Sequence, residues 1–237
     1  MLKASFGLGP HPAAIALMVL LGGSAPVTAG AGEAAGRASR GAVLYADCAR
    51  CHGEQGEGLE ATQAPRLAGR EDWYLKRQLE GFRRRDRGRD DSKETGFLPP
   101  ESRTQLMHAV VDRLSRADIK ALIAHLANLR PGPVPAARQG DAGRGRAHYA
   151  ACVECHGATA AGSWRRSAPR LTGQHDWYLF QQLRDFRMGW RGAASKDPHV
   201  KLMRRQLDLD DAALHDLVAY IVSLNTPPSA ASPGRPR

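Results

Sequence analysis

Cys48-Ala49-Arg50-Cys51-His52 recurs once in this chain, as Cys152-Val153-Glu154-Cys155-His156. C-x-x-C-H is the attachment signature of c-type haem. Two thiols on one helical turn add across the two vinyl groups on one edge of the porphyrin. The histidine that follows lies under the iron as its proximal ligand. C-x-x-C also occurs in thioredoxin-like redox pairs and in zinc sites. A zinc site does not call for histidine at the same offset in both copies. A redox pair calls for a βαβ pattern around the motif, and the flanking sequence shows none. The motifs therefore read as two covalently bound haem c groups. Cys48, Cys51, Cys152 and Cys155 attach them, and His52 and His156 are axial ligands to iron.

The surrounding chain is a duplication. An offset of 104 residues links His52 to His156, Tyr45 to Tyr149, Pro65-Arg66-Leu67 to Pro169-Arg170-Leu171, Gly69 to Gly173, Trp73-Tyr74-Leu75 to Trp177-Tyr178-Leu179, and Phe82 to Phe186. Further on the offset falls to 96 for Met107 and Met203, and to 95 for Leu122 and Leu217. Identity at a fixed offset argues for a duplicated domain. The first copy is about eight residues longer between Phe82 and Met107, by the repeat comparison. The expected division is a signal peptide over 1–29, a first domain over 30–130, a Pro/Gly-rich linker over 131–140, a second domain over 141–226 and a disordered tail over 227–237. Strand signals are scarce, so the fold class is all-α.

Local signals fill in the first copy. Residues 30–40 read as a flexible leader, and a helix runs from Gly41 into the first motif. Tyr45 is placed to pack on the haem edge. The Pro65 carbonyl is placed to accept the His52 Nδ1–H and fix its tautomer. Asp72 reads as the N-cap of a helix whose Leu75, Leu79 and Phe82 share an apolar face. Ser115 and Asp118 form a capping box for a helix burying Ile119, Leu122, Ile123, Leu126 and Leu129.

A histidine below the iron leaves the sixth position to be filled. Methionine raises the potential and blocks small molecules, whereas an empty site permits catalysis. Met107 and Met203 hold equivalent places just before the last helix of each copy, where a loop can fold over the distal haem face. They are the expected axial ligands. His199, four residues before Met203, is the rival at the second iron. Met188 matches Arg84 and reads as packing.

Composition sets the address. The two motifs use all four cysteines, which leaves none for a disulfide or a thiolate iron ligand. Lys3, the apolar run from Ala13 to Leu21 and the small residues Val27-Thr28-Ala29, with Ala29-Gly30-Ala31 as the alternative cleavage site, form a secretory signal. The run is too short to span a bilayer, which takes about 20 apolar residues. Haem attachment to C-x-x-C-H is an extracytoplasmic reaction, so the expected compartment is the periplasm. The formal charge of +10 favours anionic partners: an acidic protein face or, peripherally, an anionic membrane. No nucleic-acid motif is present. The Arg-rich run over 83–93 reads either as a solvated loop or as a docking patch through which the first domain meets an acidic partner.

Together the two C-x-x-C-H motifs, the Pro-x-Leu-x-Gly turns, the Trp-Tyr-Leu…Gln-Leu…Phe helices and a methionine before each terminal helix resemble the cytochrome c4 family. The resemblance covers nearly all of the chain after the signal. It implies two tandem class I cytochrome c domains, each wrapping one haem. It also implies electron transport from a quinol-oxidising complex towards a terminal oxidase, with no catalytic residue. The alternatives are the cytochrome subunit of a dehydrogenase complex and a dihaem redox enzyme. The chain departs from the family pattern in the Arg-rich insertion and in the one-residue shift at Met203.

Overall fold

A computed structural model describes residues 29–87, 101–192 and 195–224. Apart from Ala29, the segments read as signal peptide and tail lie outside the described residues, as do residues 88–93 of the Arg-rich run. The described chain is helical. It has no strand, only isolated bridges pairing Leu59 with Ala64 and Ser163 with Ala168.

In the first copy α1 spans Ala29–His52, α2 Asp72–Arg83, α3 Glu101–Val111 and α4 Arg116–Leu126. In the second, α5 spans Ala142–Tyr149, α6 Val153–His156, α7 Asp176–Arg187, α8 Pro198–Arg205 and α9 Asp211–Ser223. The stretch 30–40 is thus part of α1 and not a flexible leader. It is rich in alanine and holds no proline, and Arg40 pairs with Asp118 at 2.6 Å. In the second copy a 3₁₀ turn over Ala150–Cys152 interrupts the same path.

The stripe Gly41, Tyr45, Cys48 and His52 explains why α1 lies where it does. These residues recur at i, i+4, i+7 and i+11, and they form the inward face. Gly41 meets α4 so closely that a Cβ there would overlap the Ala121 carbonyl. Gly145 does the same between α5 and α9, against the Asp216 carbonyl. Each crossing closes over a small core. Tyr45, Leu75, Ile119, Leu122, Ile123 and Leu126 form the first. Tyr149, Leu179, Leu183, Phe186, Leu214, Leu217 and their neighbours form the second. Each fully buried Leu or Ile contributes about 1.5–3 kcal/mol.

The helix ends mostly match their signals. Ser115 Oγ accepts from the Asp118 N–H at 3.1 Å, and Asp118 accepts from the Ser115 N–H at 3.0 Å, completing the capping box. Leu75 and Phe82 are buried, with Leu79 packed against the same core. Asp72 is not an N-cap. Glu71 holds that position without a side-chain cap, and Asp72 sits in the first turn, where its charge meets the positive end of the helix dipole. Residues 131–137 run without helix, and Arg66 donates to the Gly132 carbonyl at 2.6 Å. Among the described residues no helix is long and apolar enough to cross a membrane.

The crossings set a test of the fold. Gly145→Val should destabilise the chain by about 1–3 kcal/mol through overpacking, visible as a lowered Tm in calorimetry. Gly143→Ala, on the same helix but meeting only the Asp141 side chain, should change the Tm little.

Candidate functional site

His52 and His156 are buried at the ends of α1 and α6. The His52 Nδ1–H donates to the Pro65 carbonyl at 2.8 Å, and the His156 Nδ1–H to the Pro169 carbonyl at 2.8 Å. The loop between helix and proline makes this possible. The Gly58 N–H returns to the His52 carbonyl at 2.8 Å, and the Gly162 N–H to the His156 carbonyl at 2.9 Å. Gly58 has φ +84 and Gly162 φ +82, and a Cβ at either would collide with the backbone N of Arg66 or Arg170. Tyr45 and Tyr149 pin the start of each loop. Their hydroxyls donate to the Gly53 and Gly157 carbonyls, each at 2.7 Å.

This environment decides the protonation states. Burial lowers the pKa of both histidines, and the proline carbonyls oppose it only in part. Each imidazole is neutral with its proton on Nδ1, which leaves the Nε2 lone pair for a metal. Burial pushes the Cys48 and Cys152 thiols up to about 11. Thioredoxin-like pairs need the opposite shift. All four cysteines are free. Among the described residues no three His, Cys, Asp or Glu side chains gather as a metal cluster, so the motifs do not combine into one zinc site.

The remaining expected ligands lie in helices, not loops. Met107 is half-buried in α3. Met203 is half-buried in α8 and packs on the second core. On α8 only Val200 and Met203 turn from solvent. His199 is exposed, with its N–H capped by Asp197 at 2.9 Å. His108 is engaged elsewhere, with its Nε2 at 2.9 Å from the Arg87 carbonyl.

The two copies meet along a seam with an approximate two-fold symmetry that the sequence reading missed. Arg87 donates to Gln78 of its own copy at 2.6 Å, and to Tyr178 and Gln182 of the other at 2.8 and 3.1 Å. Arg191 donates to Gln182 of its own copy at 2.5 Å, and to Tyr74 and Gln78 of the other at 3.4 Å each. Arg87 covers the Phe82 ring at 4.5 Å, and Arg191 covers Phe186 at 4.4 Å. All four pairs are related by the 104-residue offset, which was the available signal: polar residues repeated beside the core stripe. Over 83–87 three arginines of the Arg-rich run have partners within the chain. Arg84 pairs with Asp86 at 2.8 Å, Arg85 is bidentate on Asp112 at 3.0 and 2.7 Å, and Arg87 is a seam residue.

A second set of ties grips the proline loops. Gln174 accepts from the Arg66 N–H at 3.1 Å and donates to the Arg66 carbonyl at 3.0 Å. Glu71 accepts from the Arg170 N–H at 2.7 Å, and Arg70 donates to the Arg170 carbonyl at 3.1 Å. Arg66 and Arg170 directly follow the prolines that hold the histidines. Each half thus steadies the axial-histidine loop of the other.

These residues fit haem c. Paired protonated thiols precede a buried imidazole with a free Nε2. Haem also brings carboxylates, and the seam suits them. Arg87 and Arg191 donate there to neutral oxygens, and the buried Trp190 Nε1 beside them has no hydrogen-bond partner among the described residues.

Two all-helical units, each with this thiol and imidazole set, define a c-type cytochrome with two haem sites. A family model described as Cytochrome c matches residues 38–130 and 142–225. Cytochrome c4 of Stutzerimonas stutzeri is 31% identical over 211 residues, covering 83% of this chain and 93% of its own. The chain belongs to the cytochrome c4 family. The crystal structure of reduced recombinant cytochrome c4 from Pseudomonas stutzeri aligns with TM-score 0.57 at 26% identity, over 78% of this chain and 96% of that one. A thiosulfate dehydrogenase electron acceptor of Thiomonas intermedia (strain K12) is 28% identical over 79% of this chain and 82% of its own. Thiosulfate dehydrogenase (TsdBA) from Marichromatium purpuratum aligns with TM-score 0.61 at 30% identity, over 82% of this chain; the chain spans 41% of its length. Two covalently bound haem c groups follow, and the chain is a dihaem electron-transfer cytochrome.

The crossed loop ties generate a test. Gln174→Ala strands the Arg66 N–H and C=O and should cost about 1–3 kcal/mol of stability. In NMR of the holoprotein the His52 Nδ1 proton should move while that of His156 stays. Equal movement at both histidines would refute the cross-domain coupling.

Proposed function

We propose that the chain is a periplasmic electron carrier between a quinol-oxidising complex and a terminal oxidase. The observation that carries this reading is the repeated pairing of a buried, carbonyl-bound histidine with a half-buried methionine in the same copy. Cys48 and Cys51, and Cys152 and Cys155, tether the two haems as thioethers. Each haem, when bound, supplies a one-electron iron couple. His52 and His156 offer Nε2 to the irons, and Pro65 and Pro169 hold those rings in the required tautomer. Met107 and Met203 would offer thioether sulfur as further ligands to the irons, a donor that favours the reduced state and leaves no position open to small molecules. No side chain is asked to move a proton, so no catalytic residue is assigned. The signal segment supports export, with cleavage after Ala29.

A second reading is that the electron donor is a thiosulfate-oxidising enzyme. The likeness to a thiosulfate dehydrogenase electron acceptor and to TsdBA favours it.

Met107→Ala should open one haem to carbon monoxide and remove about half of the far-red sulfur-to-iron band, since one of two methionine ligands is lost. Met203→Ala should do the same at the other haem. A Met203→Ala spectrum identical to wild type, with the band lost in His199→Ala, would transfer that ligand role to His199. Mass spectrometry of the exported protein should show a chain starting at Gly30 with two haems attached. Stopped-flow reduction by quinol-oxidising membranes, set against reduction by a purified thiosulfate dehydrogenase with thiosulfate, separates the two donors by rate.

A further inference from the structure

The two haem-attachment motifs lie under equivalent loops of equal length, and the copies differ there in charge and polarity. In the first copy the exposed charged residues around the motif are Asp47, Arg50, Glu54 and Glu60. Glu60 is also tied off, bidentate to Arg138 at 2.7 and 3.0 Å. The equivalent positions in the second copy are Ala151, Glu154, Ala158 and Trp164. Trp164 is 39% exposed, and so is Val153, between the two cysteines. Arg165 and Arg166 follow Trp164, and both are exposed. The Arg165 guanidinium lies 5.7 Å from the Trp164 ring centroid. Arg166 pairs with Glu154 at 2.7 Å, which draws the Trp164 loop against the motif and neutralises its one acid. One face is acidic and polar; the other is apolar at its centre with a basic rim.

We propose that the face formed by Val153, Trp164, Arg165 and Arg166 is a docking surface for an acidic redox protein. The proposal rests on the electron-carrier reading and assigns that exchange to the second copy. Exposed tryptophan and arginine are the residue types most enriched at the energetic centres of protein interfaces. Trp164 leaves 39% of its surface in water beside the attachment motif, next to the equally exposed Val153. The charge selects the partner. Arg165 attracts an acidic rim, and the acidic face of the first copy repels it, so the same partner is steered to one end of the molecule. Contact beside the attachment cysteines brings the partner next to the tethered edge of the second haem.

The test uses the dihaem holoprotein and an acidic plastocyanin as probe. Binding is measured with the redox-inert cadmium form, and electron transfer with the copper form by stopped flow. Trp164→Ala should weaken binding and lower the second-order rate constant by roughly tenfold, the loss expected at an interface anchor. Trp164→Phe should recover most of both. Arg165→Ser should flatten the salt dependence of the rate. Glu60→Ala, in the equivalent first-copy loop, should leave affinity unchanged. Both midpoint potentials and the visible spectrum should be the same in all variants. Affinity and rate indifferent to Trp164→Ala would overturn the docking face and leave the carrier reading intact. A wild-type holoprotein that binds the cadmium form but passes no electron to the copper form would overturn the carrier reading instead.

Discussion

A neutral imidazole buried beside two cysteines depends on a single hydrogen bond, from Nδ1–H to the carbonyl of the proline thirteen residues on, 2.8 Å long in both copies. Without it the buried ring would have an unsatisfied donor and no fixed tautomer. With it, Nε2 becomes the only free lone pair, aimed away from the loop. Much of the local sequence serves this contact. Gly58 and Gly162 take backbone conformations closed to other residues so that the loop can double back on the Arg66 and Arg170 backbones. Tyr45 and Tyr149 hold the carbonyl at the helix end. Gly41 and Gly145 set the helix crossing from which the whole stripe is measured.

Duplication turned that local device into a cooperative one. The residue after each proline is clamped by the other copy: Arg66 by Gln174, Arg170 by Glu71 and Arg70. Docking of the two halves and positioning of each histidine are therefore not separate problems. The seam is polar. Its guanidiniums stack on Phe82 and Phe186 and donate to tyrosine and glutamine oxygens. The positive field has a visible consequence at Tyr74. Burial raises its phenol pKa, yet Arg191 and Arg87 outweigh the burial and lower it. A seam of this charge suits carboxylates, and haem provides them.

Divergence between the copies is conservative in the cores and changes charge and polarity on what faces outward. The stripe glycines and the proline loops keep their places at the 104-residue offset, and the last core helix follows at 95, because each is fixed by close packing or by a buried hydrogen bond. Glu60 and Trp164 hold equivalent exposed places in the loops over the two motifs, where no close packing dictates the side chain. That freedom lets one fold present two different surfaces while keeping the same iron-binding architecture.

The sequence alone determined the cofactor, the helical class, the duplication and the histidine loop. Each of these rests on spacing along the chain, and spacing on a helix or across a tight turn maps directly to position. The capping box at Ser115 and the apolar face of α2 were legible for the same reason. Asp72 reads as a cap because the cap and the first turn both favour an acid, and one residue of register separates them. The stretch 30–40 reads as a leader because its helix is held partly by Arg40 reaching Asp118, 78 residues away. Arg87 shows the limit most plainly. Along the chain it is one arginine among five in a charged run. Only the tertiary structure shows that two, Arg84 and Arg85, pair nearby while Arg87 crosses the seam, since that depends on which surface the other copy brings against it. A long flexible cation gives no periodic signal, and its partners were fixed by the docking of two domains.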